Sequence, residues 1–193
     1  MISARQQEII DATIMLINSK GIQGFTIKNI SKIVGVSEPA IYRHFQSKTA
    51  ILVTLLDLLK ENSSKIYGGE INLEGSVISN IERIFESHFA TFAKMPSLSS
   101  VVFSEELFRN DKSLTGKISE VIDFNNKIFL SYVVEGQKRG ELRDDVDASH
   151  IVTMLMGSLR LFVKKWQFSE FNFDLVSNGK LLTSSLIQLI SKK

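Results

Sequence analysis

The 193-residue chain has no cysteine, two prolines and one tryptophan. No uninterrupted apolar run approaches the roughly 20 residues that a membrane-spanning helix needs. Without cysteine, disulfide scaffolds, thiolate catalysis and cysteine-ligated zinc are excluded together. Arg5, Glu8 and Asp11 interrupt the N-terminus where a signal peptide needs an apolar stretch, so a cytoplasmic protein with no membrane association is expected. Catalytic signatures are missing as well. The three histidines, His44, His88 and His150, are far apart, and there is no His-Glu-x-x-His, Gly-x-Ser-x-Gly or phosphate-loop pattern. Gly68-Gly69 is followed by Glu70 where a phosphate loop would carry lysine. The expectation is a protein that is not an enzyme and holds no metal or cofactor.

What is present is a 44% hydrophobic chain with 23 basic and 21 acidic side chains, enough to bury a sizeable core in one or two domains. The charge is uneven. Residues 1–50 hold six basic groups (Arg5, Lys20, Lys28, Lys32, Arg43, Lys48) against three acidic ones, leaving 17 basic and 18 acidic beyond. A basic end on a neutral body points toward a polyanion, although so small an excess also fits a solvated surface.

Apolar spacing is helical almost throughout, and β signals are nearly absent. Ile9, Ala12 and Leu16, with Ile10, Ile14 and Ile17, recur at three and four over Arg5 to Ser19, and Gly21 sits where a C-cap belongs. Thr26 can cap a short helix carrying Ile27, Ile30, Ile33 and Val34, and Ser37 can cap another from Glu38 to Phe45. Pro39 falls in that helix's first turn, where its missing N–H costs no hydrogen bond. Ser47 caps a helix through Ile51, Leu55 and Leu59 that fades into Gly68-Gly69, the best linker in the sequence. Further helices are expected at about 74–94, 98–109, 113–139, 147–167 and 174–191, with breaks at Asn110-Asp111, Gly140 with Asp144-Asp145, and Asn172.

Thr26 to Phe45 therefore reads as helix, glycine turn, helix. Ile30 and Ile33 are expected to face Ile41 and Phe45, with Gly35 supplying the left-handed backbone that folds one helix across the other. The opposite face is Glu38, Pro39, Ala40, Tyr42, Arg43 and His44. Small residues lead and hydrogen-bonding ones follow, as suits a helix entering the major groove by its N-terminal end. A hairpin that merely packs has no need of this polar face beside Lys28 and Lys48.

From Arg5 to Leu56 the sequence resembles the TetR family of bacterial transcriptional regulators. The resemblance rests on the Ile9 and Ala12 spacing, the Thr26 start, Gly35-Val36-Ser37, Ala40-Ile41-Tyr42-Arg43-His44-Phe45, and Ser47-Lys48 before an apolar helix. Ser31 and Val34 stand where the family usually has alanine. The resemblance implies an all-α fold, with a three-helix helix-turn-helix DNA-binding domain over 1–47 and a helical ligand-binding and dimerisation domain over 48–193. By the family's roles, Thr26, Tyr42, His44 and Lys48 bind phosphates of double-stranded DNA, while Glu38, Pro39, Ala40 and Arg43 face the groove; Lys28 and Ser37 complete the DNA-binding set. Arg43 can hold guanine bidentately, and Ala40 or Pro39 can touch a thymine methyl. Glu38 can accept from cytosine N4, or simply be a carboxylate favoured by the helix dipole; His44 can equally be a surface histidine without a role.

Eleven of the 13 phenylalanines lie beyond residue 50. The resemblance implies an apolar pocket there, and Phe85, His88, Phe89, Phe92, Phe103 and Phe124 are its candidates, with Phe108 and Phe129 on the same helices. An aromatic stripe also reads as plain core, and His88 as a satisfied core histidine. The effector expected is a small hydrophobic or amphipathic molecule. Two further stripes (Ile151, Met154, Leu155, Leu161, Phe162; Leu175, Leu182, Leu186, Leu189), with small Gly157 and Ser158, suit either a two-fold four-helix interface of a homodimer or an intramolecular core. The function expected is a sequence-specific repressor released from a palindromic operator by its ligand. Its rival is an adaptor that positions a protein partner on the chromosome without responding to ligand.

Overall fold

The computed structural model describes residues 2–70, 75–103 and 111–192. Among these residues there are nine helices and no strand: α1 (Ala4–Gly24), α2 (Ile27–Val34), α3 (Glu38–Tyr42), α4 (Lys48–Glu70), α5 (Val77–Lys94), α6 (Pro96–Val102), α7 (Lys112–Lys138), α8 (Ala148–Phe168) and α9 (Leu175–Ile190). No helix among them is long and apolar enough to cross a membrane. Two compact units emerge: residues 1–60 with 97–121, and residues 61–96 with 122–193.

In the first unit the N-terminus is built by a reciprocal cap. Ser3 Oγ accepts from Gln6 N–H and Gln6 Oε1 accepts from Ser3 N–H, satisfying two amides at the start of α1. The backbone leaves the helix at Gly21 (φ 63°, ψ −169°), the position read as a C-cap. Ile9, Ile10, Leu16 and Ile17 from α1 enter a core shared with Phe25, Ile30, Ile41, Phe45 and the apolar face of α4. Val101, Leu114 and Val121 join this core from far along the chain.

The second unit is organised by α5. Its Phe85 and Phe89 are wholly buried and belong to a chain of edge-on or tilted rings, Phe129–Phe85–Phe89–Phe162–Phe173, with centroids 5.5–6.2 Å apart. Helix α9 comes so close to α5 at Gly179 that a Cβ there would sit 2.3 Å from Phe89 Cδ2. The start of α5 is capped from a distance, since the Glu141 carboxylate accepts from Val77 N–H at 2.9 Å and from the Ser76 hydroxyl. The segment carrying Glu141 is in turn tied to the end of α9, where Arg143 N–H donates to Ile190 O at 2.8 Å and Lys192 N–H to Glu141 O at 3.1 Å.

Several expectations are corrected. Gly68-Gly69 is not a linker, because α4 continues through both glycines to Glu70. Ile33 does not face α3 and is 45% exposed. At 100° per residue the inward face of α2 is Ile27, Ile30, Ser31 and Val34, and Ile33 falls roughly 110° from its centre. Ser31 takes the place beside Ile30, buried, with its hydroxyl donating to Lys28 O at 2.9 Å. The helix expected to end at Phe45 ends at Tyr42. Of the helix expected over 98–109, Pro96–Val102 is seen; Phe108 and Asn110 lie outside the described residues. The two C-terminal stripes divide their residues. Ile151, Leu155, Leu175 and Leu186 are buried, whereas Met154, Leu161 and Leu189 are exposed.

Candidate DNA-binding site

Thr26 stands at the N-cap of α2 with extended backbone, and its Oγ1 accepts from Asn29 N–H at 3.1 Å. The cap uses the oxygen as acceptor, so the hydroxyl proton remains for an outside acceptor such as a phosphate. Asn29 Nδ2 donates to Gly24 O at 2.9 Å and so holds the approach to the helix. At the other end Gly35 has φ 74° and ψ 33°, and the N–H groups of Gly35 and Val36 both return to Ser31 O. This left-handed cap turns the chain sharply without strain, as glycine allows.

After the turn, Ser37 is extended and makes no side-chain capping bond; its carbonyl starts α3 instead, accepting from Ala40 N–H at 2.9 Å. The chain then tightens beyond Tyr42, with His44 N–H donating to Ile41 O at 2.9 Å. Only Ile41 and Phe45 of this segment are buried. Ser37, Glu38, Pro39, Tyr42, Arg43 and His44 are exposed and Ala40 is half-buried, with Tyr42 at 51%. The outward set expected from the sequence is therefore largely outward, on a short helix and the turn that follows it, which Ile41 and Phe45 pin to the core.

Lys48 opens α4, where Ser47 Oγ accepts from Ala50 N–H at 3.1 Å. Its Nζ lies 4.7 Å from the centroid of the buried Phe25 ring. The ring face attracts the ammonium and narrows its wandering, at about 0.5–1 kcal/mol for an exposed pair. Lys28 is exposed on α2. Two positioning groups escaped the sequence reading. Phe25 supports Lys48, and Gln6 Nε2 donates to His44 O at 3.3 Å, linking the start of α1 to the end of the polar face. The Ser3-x-x-Gln6 spacing was a readable capping signal for the second, but nothing local announces the first.

The ligand candidates are placed less uniformly. Phe85, Phe89 and Phe92 are buried on α5 within the second unit, and Phe85 and Phe89 meet edge-on at 6.0 Å. His88 is half-buried with Nδ1 2.8 Å from Ile84 O; a carbonyl only accepts, so Nδ1 carries the proton there. Phe124 is half-buried on α7, while Phe103 belongs to the first unit. A cleft of about 250 Å³ between α5 and α9 is lined by polar groups including Glu82, Arg83, Glu86 and Lys180, and by none of these aromatic residues.

The family model for bacterial regulatory proteins of the tetR family matches residues 9–55, and that for the C-terminal region of YsiA-like proteins matches residues 56–190. The chain is 24% identical over 186 residues to the fatty acid metabolism regulator protein of Bacillus subtilis (strain 168), covering 96% of this chain and 93% of that protein. It is 27% identical over 176 residues to the nucleoid occlusion factor SlmA of Actinobacillus pleuropneumoniae, covering 88% and 86%. Its fold is similar to that of the fatty acid degradation regulator FadR from Bacillus halodurans, with a TM-score of 0.87 at 23% identity over 97% of this chain and 96% of that one. It is also similar to FadR from Bacillus subtilis in complex with stearoyl-CoA, with a TM-score of 0.77 at 24% identity over 95% and 96%. With its helix-turn-helix matched by one family model and the remainder by another, the chain belongs to the TetR family of bacterial regulatory proteins, DNA-binding regulators of transcription.

Proposed function

We propose that this protein is a cytoplasmic homodimeric repressor that releases a palindromic operator on binding an amphipathic ligand of the long-chain acyl-thioester class. The observation that carries the DNA half of this reading is the division of the segment 37–45. Ile41 and Phe45 are buried, whereas Ser37, Glu38, Pro39, Tyr42, Arg43 and His44 are exposed and Ala40 is half-buried. Arg43 would contact a guanine edge, with Ala40 and Pro39 beside thymine methyls, and Glu38 at the start of the helix. Thr26, Lys28, Ser37, Tyr42, His44 and Lys48 would contact phosphates, which fix register while the groove-facing residues read sequence. The functional division is 1–47 for DNA binding and 48–193 for ligand binding and dimerisation. We assign the protein no catalytic activity.

The dimer is supported by the outward stripes of α8 and α9. Met154, Gly157, Ser158 and Leu161 follow one another at helical spacing, and Leu161, Leu181 and Leu189 are 71%, 68% and 67% exposed. A two-fold pairing of these faces would bury them and present two recognition helices to half-sites about 34 Å apart. The ligand class is supported by the fatty-acid regulators among the relatives and by the stearoyl-CoA bound to one of them, together with a body rich in phenylalanine. Phe85, His88, Phe89, Phe92, Phe103 and Phe124 remain the candidate ligand residues.

The test is binding to the DNA upstream of the coding region against scrambled DNA across a salt series, followed by titration with stearoyl-CoA. Expected are a sequence preference that survives near-physiological salt, its loss in Tyr42→Ala and Arg43→Ala, and release by the thioester. A coupling of about 1–3 kcal/mol corresponds to roughly 5- to 150-fold weaker DNA binding. Equal binding to both DNAs that vanishes with salt would remove the operator. A second reading draws on the nucleoid occlusion relatives: an adaptor that holds a protein partner on the chromosome. Sequence-specific binding with no response to stearoyl-CoA or other amphipaths would favour it.

A further inference from the structure

Within the first unit, two cross-links join α4 to the beginning of α7. Asp111 stands before α7 and caps it, its Oδ1 accepting from Ser113 N–H at 2.9 Å and Leu114 N–H at 3.3 Å. Capping uses one oxygen. The other, Oδ2, accepts from the hydroxyl of Thr49 at 2.8 Å, across 62 residues of sequence. Farther along the same two helices, Lys117 Nζ lies 2.6 Å from Asp57 Oδ1 on α4, with Glu120 Oε2 at 3.0 Å holding it from its own helix. The Lys117 side chain is only 20% exposed, against 53% for Asp57 and 57% for Glu120.

The spacing of these links is the informative part. Thr49 and Asp57 are separated by about 12 Å along α4, and Asp111 and Lys117 by about 9 Å along α7, at 1.5 Å per residue. One link would act as a pivot, but two at that separation hold an angle as well as a distance. Thr49 also follows Lys48 directly, so the first link sits one residue from a proposed phosphate contact. Both helices run on past this unit, α4 to Glu70 and α7 to Lys138.

We propose that Thr49, Asp111, Asp57 and Lys117 are positioning residues: a two-rung brace that fixes the direction in which α4 leaves the DNA-binding head and so sets the half-site separation that the dimer accepts. This rests on the dimeric DNA-binding reading above, without depending on the ligand. None of the four touches DNA in that reading. The brace acts by denying the two heads independent freedom, so that a misplaced half-site cannot be reached without breaking a rung.

The experiment uses the full-length protein and an operator selected from random DNA. The operator is then remade with one base pair inserted or deleted at its centre, and as a single half-site. The wild type is expected to lose about 10-fold or more in affinity on either mis-spaced operator, because simultaneous engagement is lost when geometry forbids it. Thr49→Val with Lys117→Met should lose no more than about 3-fold on the same DNAs while matching the wild type on the single half-site. Thr49→Ser with Lys117→Arg should restore the selectivity. A Val/Met variant as selective as the wild type would overturn the brace, and so would a wild type indifferent to spacing. Loss of single half-site binding in the variant would overturn it too, by making the cross-links supports of the head's own fold. Failure of the wild type to select any sequence would remove the DNA-binding reading itself, and the brace with it, independently of the variants.

Discussion

Replacing Gly179 by alanine tests the packing of α5 against α9. The new Cβ would lie 2.3 Å from Phe89 Cδ2, 2.6 Å from Cε2 and 2.7 Å from Cγ. Carbon atoms rest at about 3.5–4.0 Å, so the overlap is about 0.8–1.7 Å against three atoms of one rigid ring. Phe89 has little room to yield, because Phe85 meets its ring at 6.0 Å and Phe162 meets it at 5.8 Å. Overpacking typically costs about 1–3 kcal/mol, and three simultaneous overlaps argue for the upper end. Alanine recovers about 1 kcal/mol of helix propensity relative to glycine. The net expectation is a loss of about 2 kcal/mol, or a Tm lower by roughly 4–8 °C for a chain of this size. The assay is thermal and urea unfolding at fixed protein concentration. Gly116→Ala serves as reference, since a Cβ there meets nothing within 4 Å and should gain up to about 1 kcal/mol. Adding Phe89→Leu to Gly179→Ala should return part of the loss, with a coupling of about 1 kcal/mol or more in the double-mutant cycle. If Gly179→Ala proves as stable as the Gly116 variant, the close approach of the two helices is not as described.

Thr26→Ala should cost about 1 kcal/mol in stability by removing the α2 cap and should also weaken operator binding, whereas Thr26→Ser should retain both; unfolding curves and fluorescence anisotropy read the two effects. Leu181→Glu with Leu161→Glu should yield a monomer by analytical ultracentrifugation while far-UV dichroism stays unchanged, and a persistent dimer would place the interface elsewhere. Filling the interior with Phe89→Trp should abolish the competition between stearoyl-CoA and DNA while DNA affinity persists, and unchanged competition would remove Phe89 from the ligand site. Three aspartates that cap helices have carboxyls held below the ordinary range: Asp111 chiefly by the Thr49 hydroxyl, Asp147 by the Ser149 hydroxyl and Asp174 by the Ser177 backbone N–H. A depressed folded-state pKa gives stability that is present above the unfolded value, near 4, and is lost as pH falls through the folded one. The unfolding midpoint should therefore stay flat from about pH 7 to 5 and fall below about pH 4, less steeply in Asp147→Asn and Asp174→Asn; a midpoint that rises on acidification would contradict the assignment.

The parts of this fold that were legible in the sequence are those specified locally. Thr26, Gly35 and Ser47 each declare a helix end through a cap that a single residue provides, and Ile41 with Phe45 declares the inward side of the recognition segment. Ile33 is misleading because isoleucine suggests core by its type, whereas helical geometry gives the inward position to the smaller Ser31. Gly68-Gly69 misled because glycine weakens a helix without ending it, and an apolar helix as long as α4 tolerates the loss. Residues 97–121 join the first unit through Val101, Leu114 and Val121, whose spacing says only that they are buried. The Thr49–Asp111 bond is likewise invisible to a local reading, since each residue alone looks like an ordinary surface polar group. Among the aromatic residues, spacing separated Phe85, Phe89 and Phe92 as one stripe but had no means of distinguishing a ring packed against another ring from one facing a ligand.

The recognition helix spans five residues, too few to persist in isolation, since helices below about 12 residues are marginal in water. Its shape is borrowed from Ile41, Phe45 and the Gly35 turn. Because those anchors carry the conformation, the six outward positions from Glu38 to His44 behave as replaceable characters on a fixed frame. A library varying Glu38, Pro39, Ala40, Tyr42, Arg43 and His44 should remain folded across most of its members and differ in the DNA each one prefers. The same economy gives evolution a short route to a new operator, by point changes that leave the protein interior untouched.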